Sequence, residues 1–258
     1  MPLRPAKMDE IRAAAERIEG RVLRAPLVPL NVDDAPCEIF LKLENLQPSG
    51  AFKMRGAFNK VLSASDDELS KGVYTASAGN MAQGLAWNAR RLGVPCHVVI
   101  PDNAPDTKVS AVERMGGVTI PVPWDVWWQV MLDHHYEGVP GTFIHPVANR
   151  GVIAGNGTSG LEILEDCPEV DAIVVPFGGG GQSCGIASAV KALSPGVKVF
   201  AAEVETAAPL AASFEADTPT SVERIPTFVD GIGAGSVLEP MWPLVRDLLD
   251  GSLVVSVE

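Results

Sequence analysis

The amino-acid sequence predicts an α/β protein of parallel sheets flanked by helices. Short β-like runs keep alternating with helix-like segments, and small residues stand where strands give way to helices. Of the 258 residues, 47% are hydrophobic and 20% charged, a globular composition in a chain long enough to bury a sizeable core.

The elements follow in order. Ile11, Ala14, Ala15, Ile18 and Val22 recur at helical spacing, with Asp9 and Glu10 where negative charge suits a helix start. Ile39, Leu41 and Leu43 alternate with Glu38, Lys42 and Glu44 as in a strand, a pattern broken only by Phe40. Gly72 to Thr75 reads as strand, and the helix after it runs to about Leu92, with Gly93 as its stop. Val94 to Ile100 reads as strand, Pro105 to Met115 as helix with Gly116 beyond it, and Val118 to Val122 as strand. Ala172 to Val175 precedes a helix near Gln182 to Leu193, and Val197 to Ala202 precedes an Ala-rich segment from Thr206. With no Pro/Gly/Ser linker or internal repeat, any second domain is an insertion.

Twenty Lys plus Arg against 32 Asp plus Glu give a formal net charge of −12, which argues against nucleic acid as the main partner. No apolar stretch suits a bilayer span and the N-terminus lacks the apolar run of a secretion signal, so a cytoplasmic protein without a membrane partner is expected. Cys37, Cys96, Cys167 and Cys184 form no CxxC pair and are expected as buried reduced thiols. His134 and His135 are adjacent and expected at the surface, and His97 and His145 have no ligand-spaced partner.

In open α/β sheets ligands sit at the carboxyl ends of strands, which directs attention to three loops. In Gln47-Pro48-Ser49-Gly50-Ala51-Phe52-Lys53-Met54-Arg55-Gly56, Ser49 is a candidate cap and Lys53 falls in the first helical turn. The helix dipole, with shielding by Phe52, Met54 and Phe58, would lower its pKa as a Schiff-base lysine requires; the alternative is a solvated surface lysine. Thr75-Ala76-Ser77-Ala78-Gly79-Asn80-Met81 is a small-residue turn whose N–H groups could hold a carboxylate, or a simple βα turn with a serine cap. Gly178-Gly179-Gly180-Gly181 can wrap a phosphate in backbone N–H groups at a helix start, a flexible linker being the alternative. It lacks the Gly-Lys-Ser/Thr of a Walker loop, and Ser183 stands where the third glycine of a dinucleotide fingerprint would fall. Glu203, at the end of the next strand, could still serve as a ribose-binding acid, so a nicotinamide-dependent oxidoreductase stays open.

Taken together and in this order, the three motifs resemble the fold-type II pyridoxal-phosphate enzymes, most closely the serine/threonine dehydratase and serine racemase branch. Val152-Ile153-Ala154-Gly155-Asn156-Gly157-Thr158 and Asp230-Gly231-Ile232 extend the likeness over nearly the whole chain. The resemblance implies two open, mainly parallel twisted sheets flanked by helices, as in the tryptophan synthase β-like fold. Residues 1–71 and 146–258 would form the large cofactor-binding domain, with 72–145 as the inserted small one. It implies pyridoxal 5'-phosphate as cofactor, held by Lys53 as a Schiff base, with Phe52 flanking the ring, Asn80 bonding the ring hydroxyl, Gly178, Gly179, Gly180 and Gly181 around the phosphate, and Gly231 nearby. Ser77, Ala78, Gly79 and Met81 would frame the carboxylate of an amino-acid substrate. A homodimer is also implied.

The chain departs from the branch in four respects. Met81 stands where His is common. The cation site of some relatives would use Glu203, a carbonyl near Ala207 and an acid where this chain has Pro209, so no metal is expected. Trp124, Trp127, Trp128 and Met131, at i, i+3, i+4 and i+7, form a core or interface stripe, or else an aromatic substrate wall. Relatives continue past the point matching 252–258, into a helix and strand carrying the group that faces the pyridine nitrogen; the C-terminal part of the family fold is expected to be missing. The expected reaction is β-elimination from L-threonine or L-serine to a 2-oxo acid and ammonia. Serine racemisation, dehydration of an aromatic or acidic 3-hydroxy amino acid, and a cofactor-lacking, inactive protein are the alternatives.

Overall fold

Strands and helices alternate as the hydrophobic periods predict from Val73 to Val122 and from Ala172 to Val204, whereas at Phe40–Lys42 the expected alternation fails, with Leu41 exposed and the Lys42 side chain buried against Glu162. The computed structural model describes residues 3–258. In order they form α1 (Met8–Ile18), β1 (Leu27–Pro29), β2 (Phe40–Lys42), α2 (Lys53–Leu62), α3 (Asp66–Leu69), β3 (Val73–Ala76), α4 (Asn80–Leu92), β4 (Cys96–Pro101), α5 (Asp106–Arg114) and β5 (Val118–Val122). There follow α6 (Trp124–Asp133), β6 (Thr142–Phe143), α7 (Arg150–Asp166), β7 (Ala172–Pro176), α8 (Gly181–Leu193), β8 (Lys198–Val204), α9 (Pro209–Ala216), α10 (Trp242–Leu248) and β9 (Gly251–Val255).

These elements belong to two compact units. Among the described residues the first holds 3–15, His145–Leu161 and Glu169–Glu258; the second holds Glu16–Ile144 and Glu162–Pro168. The first unit carries a three-stranded sheet in the order β7-β8-β9, parallel throughout. Helix α8 is buried from Gly181 to Val190 because Cys184, Ile186, Ala187, Ala189 and Val190 give that stretch mainly small or apolar side chains, while Lys191 at its end pairs with Asp250.

The second unit carries a parallel sheet in the order β5-β4-β3-β6, all of it within the 72–145 segment, and a short antiparallel β1-β2 ribbon. Its core gathers Tyr74, Ala76, Val99, Val122, Val130 and Met131, while a second cluster of Ile18, Met54 and Phe58 packs α2 against Trp87 of α4. Met54 and Phe58 thus serve the helix-packing core. Gly93 stops α4 in a left-handed conformation, φ 69°, that glycine adopts without steric cost.

The tryptophan stripe of α6 divides. Trp127 and Met131 pack on the sheet core, Trp128 is half-buried, and Trp124 is 56% exposed, because α6 lies with only one edge on the strands. The expectation for the cysteines holds in part: all four are free thiols, but Cys37 is exposed, on the loop between β1 and β2. Burial pushes the Cys96 thiol up to about 12 and raises Cys184 as well, which keeps both protonated and inert. His134 and His135 are exposed. Among the described residues no helix is long and apolar enough to cross a membrane.

Candidate active site

Lys53 is the first residue of α2, and Phe52 precedes it in helical conformation without a side-chain cap. The positive end of the helix therefore lies beside the lysine, although the Met54 and Arg55 N–H groups already donate to Ala51 O and Phe52 O at 3.5 and 3.0 Å. Lys53 is half-buried, its Nζ 5.1 Å from the Phe52 ring centroid, and burial draws its pKa down from 10.5 to about 8. Ser49 does not cap this helix; its hydroxyl is buried without a hydrogen-bond partner among the described residues. Gly84 of α4 lets the two helices close up, since a Cβ there would meet Lys53 C and Met54 N at 3.4 Å.

Two residues on, Arg55 is 1% exposed and holds two carboxylates at once. Its Nε and Nη2 donate to Glu44 at 2.9 and 2.8 Å, and its Nη1 and Nη2 to Glu162 at 2.7 and 2.8 Å. Burial works against its charge, but the two glutamates outweigh that, and its pKa rises. This anchor of the lysine helix was invisible in the sequence, because Glu162 lies 107 residues away.

The second motif forms the β3–α4 junction of the same unit. Ser77 donates its N–H to Val99 O at 3.1 Å, and its Oγ accepts from Gly79 N at 3.2 Å. Ser77 therefore has its hydroxyl, not its N–H, to offer a ligand. Gly79 flanks α4, Asn80 opens it with an exposed side chain, and Ala78 is half-buried. Met81 is 1% exposed, so its side chain is core and only its backbone is available. The N–H groups of this first turn are suited to a carboxylate.

In the other unit, the four glycines join β7 to α8, each for its own reason. Gly180, which flanks the helix, has φ 87°. A Cβ on Gly179 would stand 2.6 Å from Val147 Cγ2, and one on Gly181 3.3 Å from Val147 O. A Cβ on Gly178 would lie 3.6 Å from Gly231 O and 3.9 Å from Ile232 Cα. Those residues, with Arg224, Asp230, Gly233 and Ala234, line an open depression of about 210 Å³. A side chain on Gly178 would enter it. Bare backbone at the start of a 13-residue helix, facing an open depression, fits a phosphate. A lysine amine with a lowered pKa fits an aldehyde. The residues present therefore suit pyridoxal phosphate.

Glu203 is otherwise engaged. It is 1% exposed and accepts from Leu210 N at 2.9 Å, Ala211 N at 2.8 Å and Ser252 Oγ at 2.7 Å. Capping the first turn of α9 leaves no oxygen for a ribose, which removes the basis for the nicotinamide reading.

A lysine of lowered pKa at a helix start and strand-to-helix junctions made of small residues and of bare glycine backbone, on an α/β scaffold, suit a class of enzyme that works through an aldehyde cofactor. The family model "Pyridoxal-phosphate dependent enzyme" matches residues 18–258. A serine racemase of Oryza sativa subsp. indica is 39% identical over 97% of this chain and 74% of its own length. L-threonine dehydratase catabolic TdcB of Escherichia coli (strain K12) is 38% identical over 98% of this chain and 78% of its own. The structure of maize serine racemase superposes with a TM-score of 0.89 at 38% identity, covering 98% of this chain and 78% of that one. The chain belongs to the pyridoxal-phosphate-dependent enzymes of fold type II.

Proposed function

We propose that this chain dehydrates and deaminates a 3-hydroxy amino acid, such as L-threonine or L-serine, to a 2-oxo acid and ammonia. When bound, pyridoxal phosphate supplies an electron sink for charge developing at the substrate Cα. In this reading Lys53 carries the cofactor, and its amine, whose pKa burial lowers to about 8, removes the α proton. The first turn of α4, with the Ser77 hydroxyl, orients the substrate carboxylate, and Asn80 and Phe52 hold the ring. Gly178 to Gly181 and Gly231 keep the phosphate end in place. The β-hydroxyl and the α proton would leave together as water, giving an aminoacrylate-type enamine, which one water then hydrolyses to the 2-oxo acid and ammonia.

The observation that carries elimination over racemisation is Ala78. Racemisation needs an acid–base group on the face opposite Lys53 to return a proton, and racemases resembling this chain place a serine hydroxyl at the position of Ala78. A methyl group cannot do that work. The same reading makes 72–145 the small domain, 1–71 with 146–258 the large one, and the assembly a cytoplasmic homodimer.

The test is L-serine incubated with enzyme in deuterated water, followed by chiral chromatography and assay of pyruvate. Pyruvate should accumulate with little D-serine, and Ala78→Ser should raise the D fraction. D-serine forming as fast as pyruvate in the wild type would defeat the proposal.

A further inference from the structure

We infer that His145 is a positioning residue for the phosphate cradle, acting through Val147; the inference rests on the cofactor reading of the glycine loop. His145 is 3% exposed, and its Nδ1 accepts the N–H of Val147 at 3.0 Å and of Ala148 at 2.7 Å. A ring nitrogen that accepts two N–H groups bears no proton, so the ring proton lies on Nε2. Asn149 N donates to Val147 O at 2.9 Å, and Asn149 Oδ1 accepts from Val152 N at 3.2 Å at the start of α7. Residues 145–149 are thereby folded into a tight turn tied at both ends.

The turn presents Val147 to the glycine loop. Its Cγ2 and Cγ1 occupy the space a Cβ of Gly179 would take, 2.6 and 2.9 Å away, and its backbone lies in the same relation to Gly181, 3.3 to 3.4 Å away. Two of the four glycines are thus backed by one residue whose conformation the imidazole sets. A glycine loop has no side chains with which to fix itself, and anion binding by backbone N–H groups depends on their orientation. The backing must come from outside the loop. Asn156 contributes from α7, donating through Nδ2 to Gly181 O at 3.1 Å, so loss of the histidine would loosen the cradle rather than abolish it.

The two ligands that expose this role are pyridoxal phosphate and pyridoxal, which lacks the phosphate. Their affinities would be titrated by visible absorbance for wild type, His145→Leu, His145→Asn and Val147→Gly, with borohydride trapping and peptide mass to confirm attachment at Lys53. Asparagine can place Oδ1 where Nδ1 accepts, and leucine cannot. Losing two hydrogen bonds behind the loop should weaken pyridoxal phosphate binding about tenfold in His145→Leu, and Val147→Gly should do the same. Pyridoxal affinity should not move, and His145→Asn should restore most of the loss. Unchanged phosphate affinity in His145→Leu and Val147→Gly, or an equal loss for both ligands, overturns the inference. Should His145→Leu fail to fold, Val147→Gly decides alone. A wild type that binds neither ligand would instead sink the cofactor reading, and this inference with it.

Discussion

Replacing Arg55 with methionine should destabilise the second unit far more than its loss of size explains. The guanidinium makes two bidentate pairs, with Glu44 and Glu162, and its Nη2 also reaches Leu23 O at 3.3 Å. Methionine fills much of the volume but leaves two carboxylates, 11% and 14% exposed, facing each other. Breaking a buried ion pair from one side costs about 3–5 kcal/mol. The lower end applies, because Glu162 retains Lys42 at 2.7 Å and Glu44 retains Gln47 Nε2 at 3.2 Å. At about 2–4 °C per kcal/mol, that corresponds to a melting shift of roughly 6–12 °C. Tryptophan fluorescence is a suitable probe, since Trp87, Trp124, Trp127 and Trp128 all lie in this unit. Glu44→Gln in the Arg55→Met background should recover part of the loss by removing one of the two facing charges while leaving the Lys42–Glu162 pair in place. Arg55→Lys should not restore wild-type stability, because an ammonium cannot serve two carboxylates bidentately. A loss below about 1 kcal/mol in Arg55→Met would mean that solvent screens the network, and would refute the reasoning.

The remaining predictions concern the two halves of the proposed site. Gly178→Ala should fold normally, with its nearest neighbour at 3.6 Å, yet weaken pyridoxal phosphate about tenfold by filling the cradle, as read by absorbance titration. Gly179→Ala, driven into Val147 at 2.6 Å, should lose about 1–3 kcal/mol in a urea melt. With a pKa of about 8, Lys53 carries roughly a tenth of its amine uncharged at pH 7 and most of it above pH 9. Its labelling by an amine-reactive probe, followed by peptide mass spectrometry, should therefore reach half its maximal rate near pH 8. The folded pKa lies below the unfolded one, so this lysine's cost to stability is full below pH 8 and is relieved as pH rises towards 10.5.

The sequence by itself determined the elements and the local chemistry. The limits of β5 and the stop of α4 at Gly93 could be read because hydrophobic period and glycine placement act over a few residues. Lys53 at a helix start and four glycines between a strand and a helix were legible for the same reason, and their order carried the resemblance to the family. The tertiary structure decided which groups were already spent. Glu203 reads as a free acid after a strand, until folding brings Leu210, Ala211 and Ser252 to its oxygens. Ser77 loses its N–H to Val99, and the tryptophan stripe divides because α6 lays one edge on the sheet. Arg55 becomes an anchor only when Glu162 arrives from 107 residues away. His145, without a ligand-spaced partner in the sequence, is oriented by N–H groups two and three residues on and backs the glycines through Val147. Local propensity is set by neighbours in the chain, whereas the availability of a buried polar group depends on every element that packs against it.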